Sequence, residues 1–398
     1  MGLGYVGLPT AALLASRGHN VIGVDTYQSV VDTINSGKIH IVEPELDILV
    51  KTAVESGRLT ASPVPVPADV FIICVPTPVN RETHEGDMRC VVSCVQSLIP
   101  VLQSGNLVLL ESTSPPGTTE QLVGQVIEAA GFRIGQDIYV AYCPERVLPG
   151  ATIRELTRNE RIVGGVSDRC AEEATAFYRT FVQGDIHQTD ARTAETVKLV
   201  ENTSRDYQIA FANELSLICE SIDVNTWEVI RLANRHPRVR ILEPGPGVGG
   251  HCIAVDPWFL IQSAPEEAKL IRAVREFNDS MPLIVANRIE EIVAKKSAQS
   301  VALLGMAYKA NIDDCRESSS INIYQILKQN GRVPTLYVCE PNTSHLDGVE
   351  LSTLKTCIEE ADIIVILVKH SIFAEVNWVE IMREKTVLDF KGLTHGLF

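Results

Sequence analysis

Residues 1–25 read MGLGYVGLPTAALLASRGHNVIGVD, and this opening stretch settles the fold class. Gly2, Gly4 and Gly7 form a GxGxxG that runs into the helical pattern Pro9–Ser16. Asp25 then closes the apolar run that begins at Val21, 18 residues after Gly7. The first glycine permits a tight turn, the second lets backbone approach a pyrophosphate, and the third lets helix and strand pack closely; the helix N-terminus faces the phosphates. A carboxylate at Asp25 would accept hydrogen bonds from ribose hydroxyls and repel a 2′-phosphate, so the pattern predicts NAD rather than NADP. Three glycines alone would describe any loop. The strand, the acid and the alternation that follows make them a dinucleotide site.

The fingerprint requires a strand of about five residues before its first glycine, and only Met1 precedes Gly2. That strand would sit centrally, and without it backbone donors and acceptors inside the sheet would lack partners. The expectation is therefore that the natural chain begins several residues upstream.

Beyond the opening, Val21–Asp25, Val70–Pro76, Leu107–Glu111 and Ile138–Cys143 read as strands separated by amphipathic stretches such as Val30–Ser36. That rhythm predicts a parallel sheet wrapped by helices. From Thr193 to Ala233, and again over Glu266–Lys295, turn signals vanish and apolar residues recur at helical spacing. Alternation resumes at Val301–Leu304, Thr335–Val338, Ile363–Leu367 and Thr386–Asp389. The fold class expected is α/β with three parts: an N-terminal dinucleotide-binding domain over 1–190, a long-helix middle over 191–296 and a smaller α/β domain over 297–398.

The 398 residues suit two or three domains at about 150 residues each, and 45% hydrophobic content supplies their cores. With 35 Lys plus Arg against 50 Asp plus Glu the net charge is −15. No basic surplus exists to displace counterions, so nucleic acid is not expected as a partner. No apolar run approaches the ~20 residues of a membrane span, and no charged-then-apolar segment opens the sequence. A cytoplasmic protein with no membrane partner is expected. The ten cysteines show no paired CxxC or Cys/His framework, so neither a metal nor a disulfide scaffold is expected.

One thiol stands out. Pro244–Pro257 reads PGPGVGGHCIAVDP, a glycine-dense loop carrying Cys252 and, four residues on, Asp256. A thiol presented by such a loop near cationic groups can ionise and attack a carbonyl; a buried cysteine in a structural turn is the competing reading. Ala194–Asn202, AETVKLVEN, puts Lys198 and Asn202 at i and i+4 on one helix face, fit to polarise an oxyanion or simply to face water. Glu145, in the CPER of Cys143–Arg146, follows a strand at the edge where α/β sheets place their sites.

These motifs assemble. GLGYVGLPT (Gly2–Thr10), VPTP (Val75–Pro78), ESTSPPGTTE (Glu111–Glu120), CPERVLPG (Cys143–Gly150), AETVKLVEN, PGPGVGGHCIAVDP and AYKANIDDCRES (Ala307–Ser318) together resemble the UDP-glucose/GDP-mannose dehydrogenase family along nearly the whole chain. Asn234–Phe259 and IHIVEPEL at Ile39–Leu46 look most like the branch acting on UDP-N-acetyl-D-mannosamine. The Cys339–Glu340–Pro341 turn departs from the Asp-Pro often seen in UDP-glucose members and suits that branch better.

The resemblance implies an N-terminal Rossmann domain, a central helical dimerisation domain and a C-terminal Rossmann-like UDP-binding domain. It implies oxidation of a sugar C6 alcohol through an aldehyde to the carboxylate, with two NAD⁺ consumed and a homodimer or higher homo-oligomer. By the same resemblance, Cys252 captures the aldehyde as a thiohemiacetal and then carries a thioester. Lys198 stabilises the oxyanions, Asn202 supports it, Asp256 positions water or a base, and Glu145 serves thioester hydrolysis. Cofactor contacts carry over to Gly2, Gly4, Tyr5, Val6, Gly7, Asp25, Thr77, Thr113, Thr119 and Arg316. Substrate contacts carry over to Arg146, Val147, Lys198, Asn202, Arg205, His236, Arg238, Gly249, Tyr308 and Lys309. Competing readings are the same chemistry on UDP-N-acetylglucosamine, a catalytically silent nucleotide-sugar-binding protein, and a one-step alcohol dehydrogenase that would leave the thiol idle.

Overall fold

The structure is a computed structural model that describes residues 1–41, 43–80, 82–147 and 150–395. The chain divides into two compact units, Met1–Glu201 with Trp258–Pro265, and Asn202–Pro257 with the chain from Glu266 onward.

In the first unit, strands β1 (Val21–Val24) and β2 (Leu59–Ser62) pair in parallel. A second sheet has the order β3 (Val70–Ile73), β4 (Leu107–Leu110), β5 (Tyr139–Tyr142), β6 (Arg161–Gly165), β7 (Ile186–Asp190). Its pairs are parallel except β5–β6, which is antiparallel. β4 reads LVLL and is buried throughout, because helices cover both faces of a parallel sheet. Between β1 and β3 the backbone of Met1 and Gly2 makes the link. The Met1 amine donates to Ile72 O, Cys74 N–H to Met1 O and Gly2 N–H to Val24 O, each at 2.8 Å. Beside this link lies a cavity of about 580 Å³ lined by Val21–Val24, Asp69–Ile72 and Phe177.

The helix Ala191–Ser221 leads into the second unit, which adds the helices Thr226–Ala233 and Lys269–Lys296. Its parallel sheet contains β8 (Ser300–Leu304), β9 (Thr335–Cys339), β10 (Ile363–Ile366) and β11 (Thr386–Asp389), in the order β11-β10-β8-β9. Side chains alternate faces along each strand. Val301, Leu303 and Val365 pack with Met281, Val285 and Ile289 of the Lys269–Lys296 helix, while Ala302, Leu304, Ile364 and Ile366 pack with Cys357, Phe373 and Trp378.

The mixed α/β class with Rossmann-like parallel sheets at both ends and long helices in the middle agrees with the sequence reading. β2, β6 and β7 have no counterpart in that reading, and the antiparallel β5–β6 pair interrupts the expected parallel order. Among the described residues no helix is long and apolar enough to cross a membrane.

Candidate active site

In the first unit the glycine turn ends at the helix Gly7–Ser16. A Cβ on Gly2 would sit 2.6 Å from Cys74 O and one on Gly7 would strike Gly2 O, so both are closed to side chains. A Cβ on Gly4 would meet nothing within 4 Å. Open space before a helix N-terminus, with backbone able to approach it, is what a pyrophosphate requires, so the turn fits the cofactor. Asp25 follows β1 directly and pins the turn, its Oδ2 accepting from Leu3 N–H and its Oδ1 from Tyr27 N–H, both at 3.0 Å. Tyr5 is exposed and Val6 half-buried at the mouth of this turn.

The carboxyl ends of β3, β4 and β5 carry the other candidates. Thr77 Oγ1 donates to Thr113 O at 2.6 Å, joining the loops after β3 and β4. Thr119 is fully buried, its hydroxyl donating to Glu195 of the Ala191–Ser221 helix at 2.6 Å. After β5, Glu145 Oε1 accepts from the backbone N–H groups of Arg146 at 2.5 Å and Val147 at 2.8 Å. Its Oε2 pairs with Arg161 Nη1 at 3.0 Å. The two side chains are 8% and 4% exposed, so the carboxylate to which the resemblance gives a part in hydrolysis is committed to shaping its own turn. Arg146 reaches Glu201 at 3.2 Å, one helical turn beyond half-buried Lys198.

Sequence reasoning passed over three residues here. Arg161 was missed with its strand. Glu43, in IHIVEPEL, accepts from Gly150 N–H at 3.0 Å and Thr152 N–H at 2.9 Å, fixing the start of the helix Thr152–Arg158. Glu195 lies in AETVKLVEN beside Lys198 and is fully buried.

In the second unit Asn202 Nδ2 donates to Asp256 Oδ2 at 2.5 Å. Asp256 is buried and begins the helix Asp256–Ser263. Cys252 O accepts from Val255 N–H at 3.0 Å and Asp256 N–H at 2.9 Å, so the residue that carries the exposed thiol stands one turn ahead of that helix. The loop's glycines are tightly packed. A Cβ on Gly249 would come within 2.7 Å of Glu317 O and 3.0 Å of Tyr308 Cβ, and Gly250 N–H donates to Glu317 O at 3.1 Å. Two of the expected substrate residues, Gly249 and Tyr308, are thereby brought together.

A buried polar cluster holds the loop from beneath. Asn213 Oδ1 accepts from Gly245 N–H at 2.9 Å, and Asn213 Nδ2 donates to Asn278 Oδ1 at 3.0 Å. Asn278 in turn donates to Asp206, which is ion-paired with the fully buried Arg275. On the C-terminal sheet, Glu340 Oε2 accepts from Met306 N–H at 2.7 Å and Ala307 N–H at 2.9 Å and pairs with His370, setting the course of the Tyr308–Lys309 segment. Arg316 pairs with Asp314 at 2.8 Å. Arg205, His236, Arg238 and Lys309 are exposed, with His236 Nδ1 accepting from Arg238 N–H at 3.3 Å.

Residues 1–182 match the NAD binding domain of the UDP-glucose/GDP-mannose dehydrogenase family, 192–280 its central domain and 302–396 its UDP binding domain. The chain is 49% identical over 404 residues to an NDP-N-acetyl-D-galactosaminuronic acid dehydrogenase of Ralstonia solanacearum, covering 99% of this chain and 95% of that one. It is also 49% identical over 391 residues to a UDP-N-acetyl-D-mannosamine dehydrogenase of Campylobacter jejuni, covering 95% and 96%. Among solved structures, a UDP-N-acetyl-mannosamine dehydrogenase from S. aureus superposes with a TM-score of 0.90 at 42% identity, covering 99% of this chain and 98% of that one. With three domains matched in order on a chain that carries the glycine cradle, this protein belongs to the UDP-glucose/GDP-mannose dehydrogenase family and is an NAD-dependent oxidoreductase of nucleotide sugars.

Proposed function

We propose that the substrate is UDP-N-acetyl-D-mannosamine, oxidised at C6 to the uronate in two steps with Cys252 as nucleophile. The observation that carries the chemistry is the exposed Cys252 on its glycine loop, with Asp256 four residues further on and hydrogen-bonded to Asn202 at 2.5 Å. Bound NAD⁺ supplies the hydride acceptor for each oxidation. It would be held by Gly2, Gly4, Tyr5, Val6, Gly7 and Asp25, with Thr77, Thr113, Thr119 and Arg316 as further contacts.

Cys252 Sγ adds to the C6 aldehyde, and the resulting oxyanion takes a proton from Lys198. The adduct, once oxidised, is a thioester that water cleaves, returning the thiol and releasing the carboxylate. A covalent adduct keeps the aldehyde oriented for the second oxidation. Asn202 orients Asp256, which positions the hydrolytic water. Glu145 acts through the turn it fixes, presenting Arg146 and Val147 to the substrate. Arg205, His236, Arg238, Gly249, Tyr308 and Lys309 complete the binding set, with the cations matched to a diphosphate.

Further parts of the reading are a cytoplasmic enzyme, domain boundaries near residues 190 and 296, and a homodimer formed through the central helices. The equal identity to the Ralstonia relative favours a second substrate, an NDP-N-acetyl-D-galactosamine derivative. Incubation with each nucleotide sugar, counting NADH per uronate formed, distinguishes them. Two equivalents with the mannosamine epimer are expected, and none would overturn that substrate assignment.

A further inference from the structure

Glu195 lies on the Ala191–Ser221 helix one turn before Lys198 and is fully buried. Its Oε2 accepts from Gly117 N–H at 2.5 Å, and its Oε1 from Thr119 N–H at 2.7 Å and from the Thr119 hydroxyl at 2.6 Å. Among the described residues no cation is hydrogen-bonded to it, and burial pushes its carboxyl above the ordinary range. A buried carboxylate is costly unless donors surround it, and here three do. All three belong to the end of the ESTSPPGTTE loop, where the helical turns Thr119–Gly124 begin and a helix dipole favours negative charge.

The same loop returns to the glycine side of the unit. Thr113 O accepts from Thr77 Oγ1 at 2.6 Å, and Ser112 Oγ donates to Val75 O at 2.7 Å. One rigid helix thus carries both the candidate proton donor Lys198 and the acid that fixes the loop holding Thr113. At the other flank of Lys198, Glu201 takes Arg146 of the CPER turn at 3.2 Å.

We infer that Glu195 is a positioning residue that locks the Glu111–Glu120 loop to the lysine helix, setting the cofactor loop and Lys198 in a single register. The inference rests on assigning that loop to the cofactor. Glu195 touches no reacting atom; it acts through Thr119 and Gly117. Its carboxylate cannot be replaced by an amide of equal size, because an amide turns one acceptor into a donor aimed at a backbone N–H.

The test is equilibrium binding of NADH, read by its own fluorescence, together with binding of UDP, in Glu195→Gln, Thr119→Val and Thr119→Ser. Glu195→Gln is expected to weaken NADH about tenfold, the loss of one hydrogen bond to a charged group, while leaving UDP affinity unchanged. Thr119→Val should weaken NADH in the same direction, and Thr119→Ser, which keeps the hydroxyl, should restore it. Because no turnover is involved, a wrong sugar assignment would not move these readings. Unchanged NADH affinity in Glu195→Gln, or equal weakening of NADH and UDP, overturns the inference. If Glu195→Gln does not fold, the Thr119 pair decides alone: equal NADH affinity in the valine and serine variants refutes it.

Discussion

At the scale of single residues, local surroundings separate Cys252 from the buried thiols. Burial pushes Cys143 up to about 12 and Cys94 to about 11, and burial with nearby acids carries Cys315 to about 12, so none of these is a thiolate at neutral pH. Cys252 is exposed on its glycine loop. Cys252→Ala is expected to abolish uronate formation while nucleotide-sugar binding, measured by calorimetry, persists; uronate formed at the wild-type rate would remove the thiol from the mechanism. Lys198→Met should lower kcat by about 10²–10³, the usual cost of an oxyanion donor. The glycine density around Cys252 made this loop legible in sequence. The lock on Glu145 was not legible, because its partner Arg161 stands 16 positions further on, in a strand with no distinguishing pattern. Removing one partner of a buried ion pair typically costs about 3–5 kcal/mol. Arg161→Met should therefore lower the thermal midpoint by several degrees, and an unchanged midpoint would show that the pair holds nothing.

Elements were read well where apolar runs ended on Gly, Asp or Pro, as β1, β8 and β11 do, and poorly where polar residues broke the run. β7 reads IHQTD and β2 reads LTAS, polar segments with too few apolar residues to show a period. Glu195 illustrates a signal that was present and passed over. Ala191, Ala194 and Leu199 form the buried stripe of their helix, and Glu195 occupies a position within it. An acid on an apolar stripe demands donors from another element. The helix packing beneath the Cys252 loop carries a comparable charge. Burial lifts Asp206 to about 6 despite the neighbouring Arg275 guanidinium. Its folded-state value exceeds the ordinary carboxylate value of about 4, so its stabilising contribution is complete below about pH 4 and is lost as pH rises through about 6. Asp206→Asn abolishes that dependence. Urea denaturation should show wild type losing stability relative to the variant between pH 4 and 6.5, and a constant difference would mean that Arg275 sets the carboxylate instead.

For the whole molecule, the central helices present apolar side chains that a single chain leaves in water. Phe211 is 54% exposed, Ile218 49% and Leu232 53%. Phe211 and Ile218 lie seven residues apart on one helix, hence on one face. If the proposed homodimer forms through this face, Phe211→Glu is expected to halve the mass measured by light scattering, and a wild-type monomer would overturn that proposal. Periodicity alone showed these helices to be long but not which apolar side chains stay uncovered, because an exposed and a covered apolar stripe are spelled the same way. The three tryptophans are distributed so that each reports a different region: Trp378 in the C-terminal core, Trp227 against Gly392, and Trp258 stacked on the His84 imidazole with ring centroids 3.8 Å apart. Exchanging His84 for a side chain without a ring would remove that stack alone, so the emission of Trp258 should change while the surroundings of Trp227 and Trp378 stay as they are.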